Sequence, residues 1–236
     1  ILSSLFFLQN YITVTPILEH TWSISIEEHF YLFYPLVIFA VCKIQKDPAS
    51  RRSLLIWVLL VLIGIGNGLR YYFSRDMPHI YQMTHVRFDA LLFGCILKLW
   101  EPWFCDKNRN MRFMAALYFV IGGFLFISFF LEFNRLWWFS YTSVYIASGC
   151  LLVSALAGFS PLKNLTEHKF LRWIGKNSYG IYLWHYIVLH AFLTIPLQHR
   201  GVGVIAAYIL CSILLGVLTT VTIERYFLNI RKRLVP

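Results

Sequence analysis

Seven apolar stretches, separated by short polar connections, constrain the fold of this chain more than any other feature of its sequence. A helix of about 20 apolar residues is long enough to cross the hydrocarbon core of a bilayer. Hydrophobic residues make up 58% of the chain, which excludes a water-soluble domain. We therefore predict an all-α, polytopic transmembrane bundle of about seven spans, formed by a single domain of residues 1–236. The predicted spans are Ser23–Val41, Leu54–Leu69, Ala90–Trp100, Phe113–Leu131, Trp137–Phe159, Tyr179–Pro196 and Val202–Phe227.

The basic residues alternate between the two sides of these spans. The connections after the first, third and fifth spans, with the C-terminal segment, hold sixteen of the 21 Lys and Arg residues, and the opposite side holds five. Because Lys and Arg accumulate on the cytoplasmic side, we predict a cytoplasmic C-terminus and an outer position for residue 1. This alternation also supports the short third span. A net charge of +10 distributed in this way indicates a lipid bilayer, and not a nucleic acid, as the partner.

The segment His20–Tyr31 places two adjacent carboxylates, Glu27 and Glu28, at the outer end of the first span. Carboxylates at membrane depth are costly unless they face a polar cavity or a partner, so this segment is a candidate functional site. The alternative is that both lie at headgroup depth and only end a helix. Ser23 or Ser25 is expected to cap the helix. Successive helical residues are about 100° apart, and the longer polar row favours Glu27 as the inward residue.

A second polar group opens the third span. It contains Thr84, His85, Arg87 and Asp89. Arg87 could pair with Glu27 or bind an anionic group through two hydrogen bonds. The alternative is an entry turn that is solvated or bound to lipid headgroups.

The third polar group lies at Gly175–His185, where Asn177 or Ser178 is expected to cap the sixth span. His185 then lies about two turns into that span, with Tyr182 on the same face. An intramembrane histidine indicates a functional site, although a hydrogen-bonded packing residue is an equal alternative. Ahead of this span, aromatic and basic residues interleave, which is typical of an interfacial segment on an anionic leaflet. The residues of that segment are Lys169, Phe170, Leu171, Arg172, Trp173, Ile174 and Lys176.

No metal site is predicted from the cysteines or histidines. The five cysteines are scattered without a Cys-x-x-Cys pair, and we interpret them as packing residues. His190 follows His185 by five residues, so their rings face different ways on a helix.

Taken together and in order, the three motifs resemble the membrane-bound acyltransferase family 3, a family of bacterial O-acyltransferases. The motifs are HTWSISIEEHFY at His20–Tyr31, THVRFDALLFG at Thr84–Gly94 and GKNSYGIYLWH at Gly175–His185. The resemblance implies a ten-span fold in the bacterial inner (cytoplasmic) membrane. It also implies three spans upstream of residue 1, with a catalytic histidine and a basic acyl-CoA motif. The odd span count and the outer start independently favour such upstream spans. His29 departs from the family pattern, in which Gln is more usual.

By this resemblance, the protein would move an acyl group, commonly acetyl, from acyl-CoA to a hydroxyl of a cell-surface carbohydrate such as peptidoglycan or lipopolysaccharide. No metal cofactor is implied, and the oligomeric state stays open. O-acyl transfer needs a base for the hydroxyl and a donor group for the developing oxyanion. Arg87 suits the oxyanion, and Glu27 could orient a histidine or the acceptor. Catalytic roles are expected for Glu27, Arg87 and His185, and substrate binding for His20, Trp22, Ser25, Glu28, His85, Asp89 and Tyr182.

Two other functions fit the same residues. A transporter or flippase could use Glu27, Arg87 and His185 as a polar pathway, but it would predict an internal repeat, and none is visible. A catalytically inactive fragment that folds only with partners is the other alternative.

Overall fold

The computed structural model describes residues 6–12, 20–73, 80–105, 112–132, 137–194 and 201–234. These residues form helices and connecting turns, and no strand occurs among them, which confirms the all-α prediction. A π-helical segment, Thr220–Glu224, joins the last two helices, and short 3-10 turns lie at Ile80–Gln82 and Thr84–Val86. The helices are α1 Trp22–Ile44, α2 Pro48–Phe73, α3 Phe88–Phe104, α4 Arg112–Glu132, α5 Trp137–Leu156, α6 Ser160–Glu167, α7 Lys169–Leu193, α8 Val202–Thr219 and α9 Arg225–Leu234.

Each predicted span falls on helical structure. The fifth predicted span continues past the end of α5 at Leu156, and the seventh runs from α8 through the π-helical segment into α9. Residues 195 and 196 of the sixth lie outside the described residues. Four segments of the described chain are long and apolar enough to cross a membrane. A shorter apolar helix lies at Phe113–Phe129. Length and composition therefore support a multi-pass helical membrane protein. The four segments are Trp22–Ile44, Pro48–Phe73, Phe139–Leu156 and Val202–Leu234.

The described residues form two compact units. The first contains those within Ile1–Ile12 and Trp22–Thr166, and the second contains those within Thr13–Thr21 and Glu167–Pro236. In the first unit, α1, α2 and α3 share an apolar core, and α4 packs along α5. The buried Ser154 hydroxyl of α5 donates to the Ala115 carbonyl of α4 at 2.7 Å. The core side chains are Phe30, Val41, Leu55, Leu59, Leu92 and Ile96.

The second unit is built on the antiparallel pair α7 and α8, which approach closely at two glycines. A Cβ on Gly180 would clash with the Gly216 carbonyl oxygen, and a Cβ on Gly216 would lie 2.5 Å from the Ile181 nitrogen. Small residues allow transmembrane helices to pack backbone against backbone in this way. Trp184 Nε1 also donates to the Thr219 hydroxyl at 2.6 Å, so a polar bond reinforces the contact.

The predicted start of the sixth span is wrong. Its helix begins at Lys169 and runs through the segment predicted to be interfacial, with the His168 ring accepting from the Phe170 N–H. Neither Asn177 nor Ser178 is a cap. Their side chains instead bond to carbonyls of the preceding turn, Asn177 to Trp173 and Ser178 to Gly175, which keeps them compatible with a helix interior.

Two further boundaries differ from the prediction. Because α1 begins at Trp22, both Ser23 and Ser25 lie inside it and neither is its cap. Arg70, predicted to begin a loop, lies inside α2, which continues to Phe73. Arg70 therefore lies in the last turns of α2, where its side chain is fully buried.

Candidate functional site

A fully buried ion pair joins α2 to α3. Arg70 Nη2 lies 2.5 Å from Asp89 Oδ2, and both side chains are 0% exposed. Buried charges persist in proteins only when they are paired and their remaining donors are hydrogen-bonded. The pair therefore needs support from its surroundings, and neighbouring residues supply it.

The other donors of Arg70 bond to two neighbouring elements. Its Nη2 and Nε donate to the Val86 carbonyl at 2.5 and 3.2 Å, and its Nη1 donates to the Thr142 hydroxyl of α5 at 3.2 Å. Asn67 extends the network, since its amide nitrogen lies 3.4 Å from Asp89 Oδ2 and its carbonyl oxygen accepts from the Thr142 hydroxyl. The network thus fixes the short turn that ends at Arg87.

Arg87 lies over aromatic rings. Its guanidinium carbon is 4.4 Å from the centroid of Tyr141 and 5.9 Å from that of Trp22. Burial, together with the nearby Arg70 charge, lowers the pKa of Arg87 from its usual value, although an arginine stays cationic at neutral pH. Within the described chain Arg87 forms no ion pair with Glu27. Stacking leaves the edge donors of a guanidinium available to an anion.

Hydrogen bonds connect the same turn to α1 and to the N-terminal segment. Asn10 Nδ2 donates to the Thr84 hydroxyl at 2.6 Å, and His29 Nδ1 lies 2.8 Å from that hydroxyl. Tyr11 stacks on His85 with its hydroxyl 3.1 Å from Nδ1. Burial lowers the pKa of His85, so the neutral ring is favoured. Polar side chains therefore surround the turn on several sides.

Glu27 does not face the interior of the first unit, as the polar row had predicted. It is exposed, and Glu28 is the more buried of the two. The buried face of α1 contains Ser25, Ile26 and Phe30 instead, because Phe30 packs on Phe88 of α3. The prediction from the polar row was wrong because Ser25, Ile26 and Phe30, and not Glu27, lie on the buried face of α1.

A cluster of histidine and tyrosine rings occupies the second unit. His185 Nδ1 lies 2.5 Å from the Tyr182 carbonyl oxygen, and the His185 ring meets the His20 ring edge-on at 5.5 Å. His20 also stacks on Tyr186 at 4.8 Å, and its carbonyl accepts from the Tyr182 hydroxyl. His20, His185 and Tyr182, each singled out from the sequence, are therefore in contact.

The tautomer of His185 follows from this geometry. A carbonyl oxygen can only accept, so the proton of the neutral ring must lie on Nδ1. The lone pair is then on Nε2, which is the arrangement of a histidine that accepts a proton.

Sequence reasoning missed Arg70, Asn67 and Thr142. Arg70 had been counted only as a loop charge, yet its place at the end of an apolar run, opposite an aspartate that opens the next span, was the available signal. No group of three or more His, Cys, Asp or Glu side chains in the described part of the chain could hold a metal ion.

The helical fold, the polar cluster around Arg70 and the ring cluster around His185 define a multi-pass helical membrane protein. Its polar, ionisable side chains lie at helix ends and inside its helices. The chain belongs to the acyltransferase family whose model, described as an acyltransferase domain, matches residues 2–221. It is 34% identical over 179 residues to the O-acetyltransferase OatA of Staphylococcus aureus (strain NCTC 8325 / PS 47), covering 73% of this chain and 29% of that protein. It is 30% identical over 188 residues to the peptidoglycan O-acetyltransferase OatA of Listeria monocytogenes, again covering 73% and 29%. The chain thus spans less than a third of these relatives. No solved structure matches it.

Proposed function

We propose that this chain is part of a membrane O-acyltransferase that moves an acetyl group from acyl-CoA to a hydroxyl of cell-wall carbohydrate. Membership of the acyltransferase family and the similarity to two O-acetyltransferases, one of them named for peptidoglycan, support this class of reaction. The proposed location is the bacterial cytoplasmic membrane with the C-terminus in the cytoplasm, as the distribution of Lys and Arg indicates.

The observation that carries the proposal is the hydrogen bond from His185 Nδ1 to the Tyr182 carbonyl. It leaves Nε2 as the basic nitrogen. In the proposed reaction, His185 Nε2, in the role that the family resemblance gives to a histidine upstream of residue 1, removes the proton of the acceptor hydroxyl while the hydroxyl oxygen forms a bond to the thioester carbonyl carbon. The carbon–sulfur bond then breaks, and the CoA thiolate takes the proton held by His185 Nε2. General-base assistance of this kind contributes about 10²- to 10⁴-fold to a rate.

Within the first unit, Arg87 is proposed to bind an anionic or developing oxyanion group of a substrate. Its stacking on Tyr141 holds the guanidinium plane without using the edge donors, and preorganised donors stabilise developing charge at little reorganisation cost. Asp89 and Arg70 are proposed to act through Arg87, because Arg70 holds the carbonyl of the preceding residue, Val86. Glu27 and Glu28 keep a proposed role in orienting a substrate.

The other residues expected to bind substrate fall into two groups, one in each unit. Trp22 and His85 flank the Arg87 turn within the first unit, and His20 and Tyr182 flank His185 within the second. They are proposed to contact the substrate there. Ser25 is fully buried in α1, so its expected contact with a substrate stays a prediction.

The test uses the full-length protein in lipid nanodiscs with acetyl-CoA labelled with ¹³C in its acetyl group and with soluble muropeptides as acceptors. We expect a labelled acetyl ester on the muropeptide that mild alkali removes, together with one released CoA thiol per ester. Acetyl phosphate in place of acetyl-CoA is the control for the donor. Absence of the ester under all conditions would overturn the proposed reaction. Equal transfer from acetyl phosphate would overturn acyl-CoA as the donor.

A further inference from the structure

A second feature of the first unit lies far from Arg87. A cavity of ≈ 590 Å³ opens where the start of α2 meets the end of α3. Arg52 and Ser53 of α2 line it together with Trp100 and Trp103 of α3 and Tyr118 of α4. Arg52 lies eighteen residues before Arg70 on the same helix, which is about 27 Å along its axis at 1.5 Å per residue. The cavity is therefore separate from the polar cluster.

A narrower crevice of ≈ 160 Å³ adjoins the cavity. Trp100, Trp103 and Tyr118 line both, so these three aromatic rings form their common wall. Beyond them the crevice is lined by apolar side chains that include Leu97 and Val153. The combined space changes from cationic and hydroxyl-bearing at one end to apolar at the other.

Arg52 is fixed at the polar end. Its Nη2 donates to the Leu99 carbonyl of α3. Pro102 lies in the same turn and has no N–H, so it makes no helical hydrogen bond to the Lys98 carbonyl four residues earlier. A guanidinium has five N–H donors, so Arg52 has others for a second acceptor. Lys43, Lys46 and Arg51 lie in the same connecting region, which is strongly basic and belongs to the side predicted to be cytoplasmic.

We propose that this cavity binds an anionic phospholipid. Its phosphate lies on Arg52 and the Ser53 hydroxyl, and one acyl chain passes the three aromatic rings into the crevice. The inner leaflet of a membrane is rich in anionic headgroups, and arginine binds phosphate through charge-assisted hydrogen bonds. The change from cationic to apolar lining matches an amphiphile, whereas a soluble phosphate would leave the apolar crevice unused.

The test measures lipid binding to the delipidated full-length protein in detergent by native mass spectrometry. We expect tighter binding of phosphatidylglycerol than of phosphatidylcholine. Arg52→Gln should weaken phosphatidylglycerol binding about tenfold, as expected for loss of a charge-assisted hydrogen bond. The matched control is Arg51→Gln, because the neighbouring Arg51 bonds to the Gln45 and Lys46 carbonyls and does not line the cavity. It should bind phosphatidylglycerol as the wild type does.

Two further arms locate the acyl chain and the source of the phosphate. A phosphatidylglycerol brominated on its chain should quench tryptophan fluorescence less in a Trp100→Phe/Trp103→Phe variant than in a Trp57→Phe variant, since Trp57 is exposed elsewhere on α2. Inorganic phosphate and CoA should not displace the lipid at equal concentration. Equal lipid binding by Arg52→Gln and Arg51→Gln, equal quenching in the two variants, or displacement by CoA or inorganic phosphate would each overturn the proposal. Size-exclusion profiles identify any variant that fails to fold.

Discussion

Arg70 and Asp89 form a single buried pair that fixes the turn ending at Arg87. Their charges are removed from water, and the energy of their attraction offsets desolvation only while every donor of Arg70 keeps its acceptor. Arg70 also donates to the Val86 carbonyl, so the pairing of Arg70 with Asp89 and the position of Arg87 are linked.

Removing one partner of this pair should be strongly destabilising. Arg70→Met or Asp89→Leu leaves a buried charge uncompensated, and we expect a loss of about 3–5 kcal/mol in the free energy of unfolding. The double variant should lose less than the sum of the two single losses, because the two residues interact directly. The measurement is reversible unfolding in mixed detergent micelles.

The exposed pair of Lys98 and Glu101 provides the control. Their side chains are 78% and 38% exposed, so Lys98→Gln should cost about 0.2–1 kcal/mol. Additive losses in the Arg70 and Asp89 double variant would contradict the coupling.

At the scale of elements, the contact between α7 and α8 depends on two glycines. A methyl group on Gly216 would lie 2.5 Å and 2.6 Å from the backbone nitrogen and Cα of Ile181, which cannot move aside as a side chain can. Gly216→Ala should therefore destabilise the hairpin by about 1–3 kcal/mol or more, measured by thermal unfolding. Gly203→Ala in the same helix meets nothing within 4 Å and should be neutral or stabilising, since alanine favours helices over glycine. Equal losses in both variants would refute the packing role.

The start of α2 should respond to pH through Asp47. Its Oδ2 accepts from the Ser50 N–H at 2.8 Å, and hydrogen bonds from Ser50 lower the pKa of Asp47 below its usual value. Because the folded pKa is lower than the unfolded one, the stabilisation is present above the usual aspartate pKa of about 3.9 and is lost as pH falls through the folded value. Asp47→Asn should remove this part of the acid dependence but keep an oxygen that accepts from the Ser50 N–H and caps α2. Asp47→Ala removes this acceptor and should lower the melting temperature at neutral pH. Identical acid profiles for wild type and Asp47→Asn would exclude this contribution.

The sequence predicted which segments form helices better than it predicted where the helices end or which residues form the site. A continuous apolar run in a membrane must bond its own backbone groups, so each predicted span is found as a helix, even the third, Ala90–Trp100, which is shorter than a bilayer is thick. The start of α7 was missed because Asn177 and Ser178 are typical caps, and only the structure shows their bonds to the preceding turn. Arg70 was missed because its acceptors lie on other elements, Val86 and Asp89 at the start of the next span and Thr142 on α5.

For the whole molecule, the distribution of charge predicts the orientation in the membrane. Since Arg70 is buried, only four Lys or Arg residues remain on the side opposite the sixteen, which strengthens the bias. A green fluorescent protein fused after Pro236 in the full-length protein should fluoresce, and alkaline phosphatase at the same place should be inactive. An active phosphatase and a dark fluorescent protein would reverse the orientation.

His185 is proposed to accept the proton of the acceptor hydroxyl, and a comparison of two histidines of α7 tests this role. His185→Gln in the full-length protein should lower kcat for acetyl transfer about 10²- to 10⁴-fold, because glutamine can bond the Tyr182 carbonyl but cannot accept the proton. His190→Gln, which removes a ring packed on Tyr186, should keep kcat close to that of the wild type. A folded His185→Gln protein with wild-type kcat would contradict the claim.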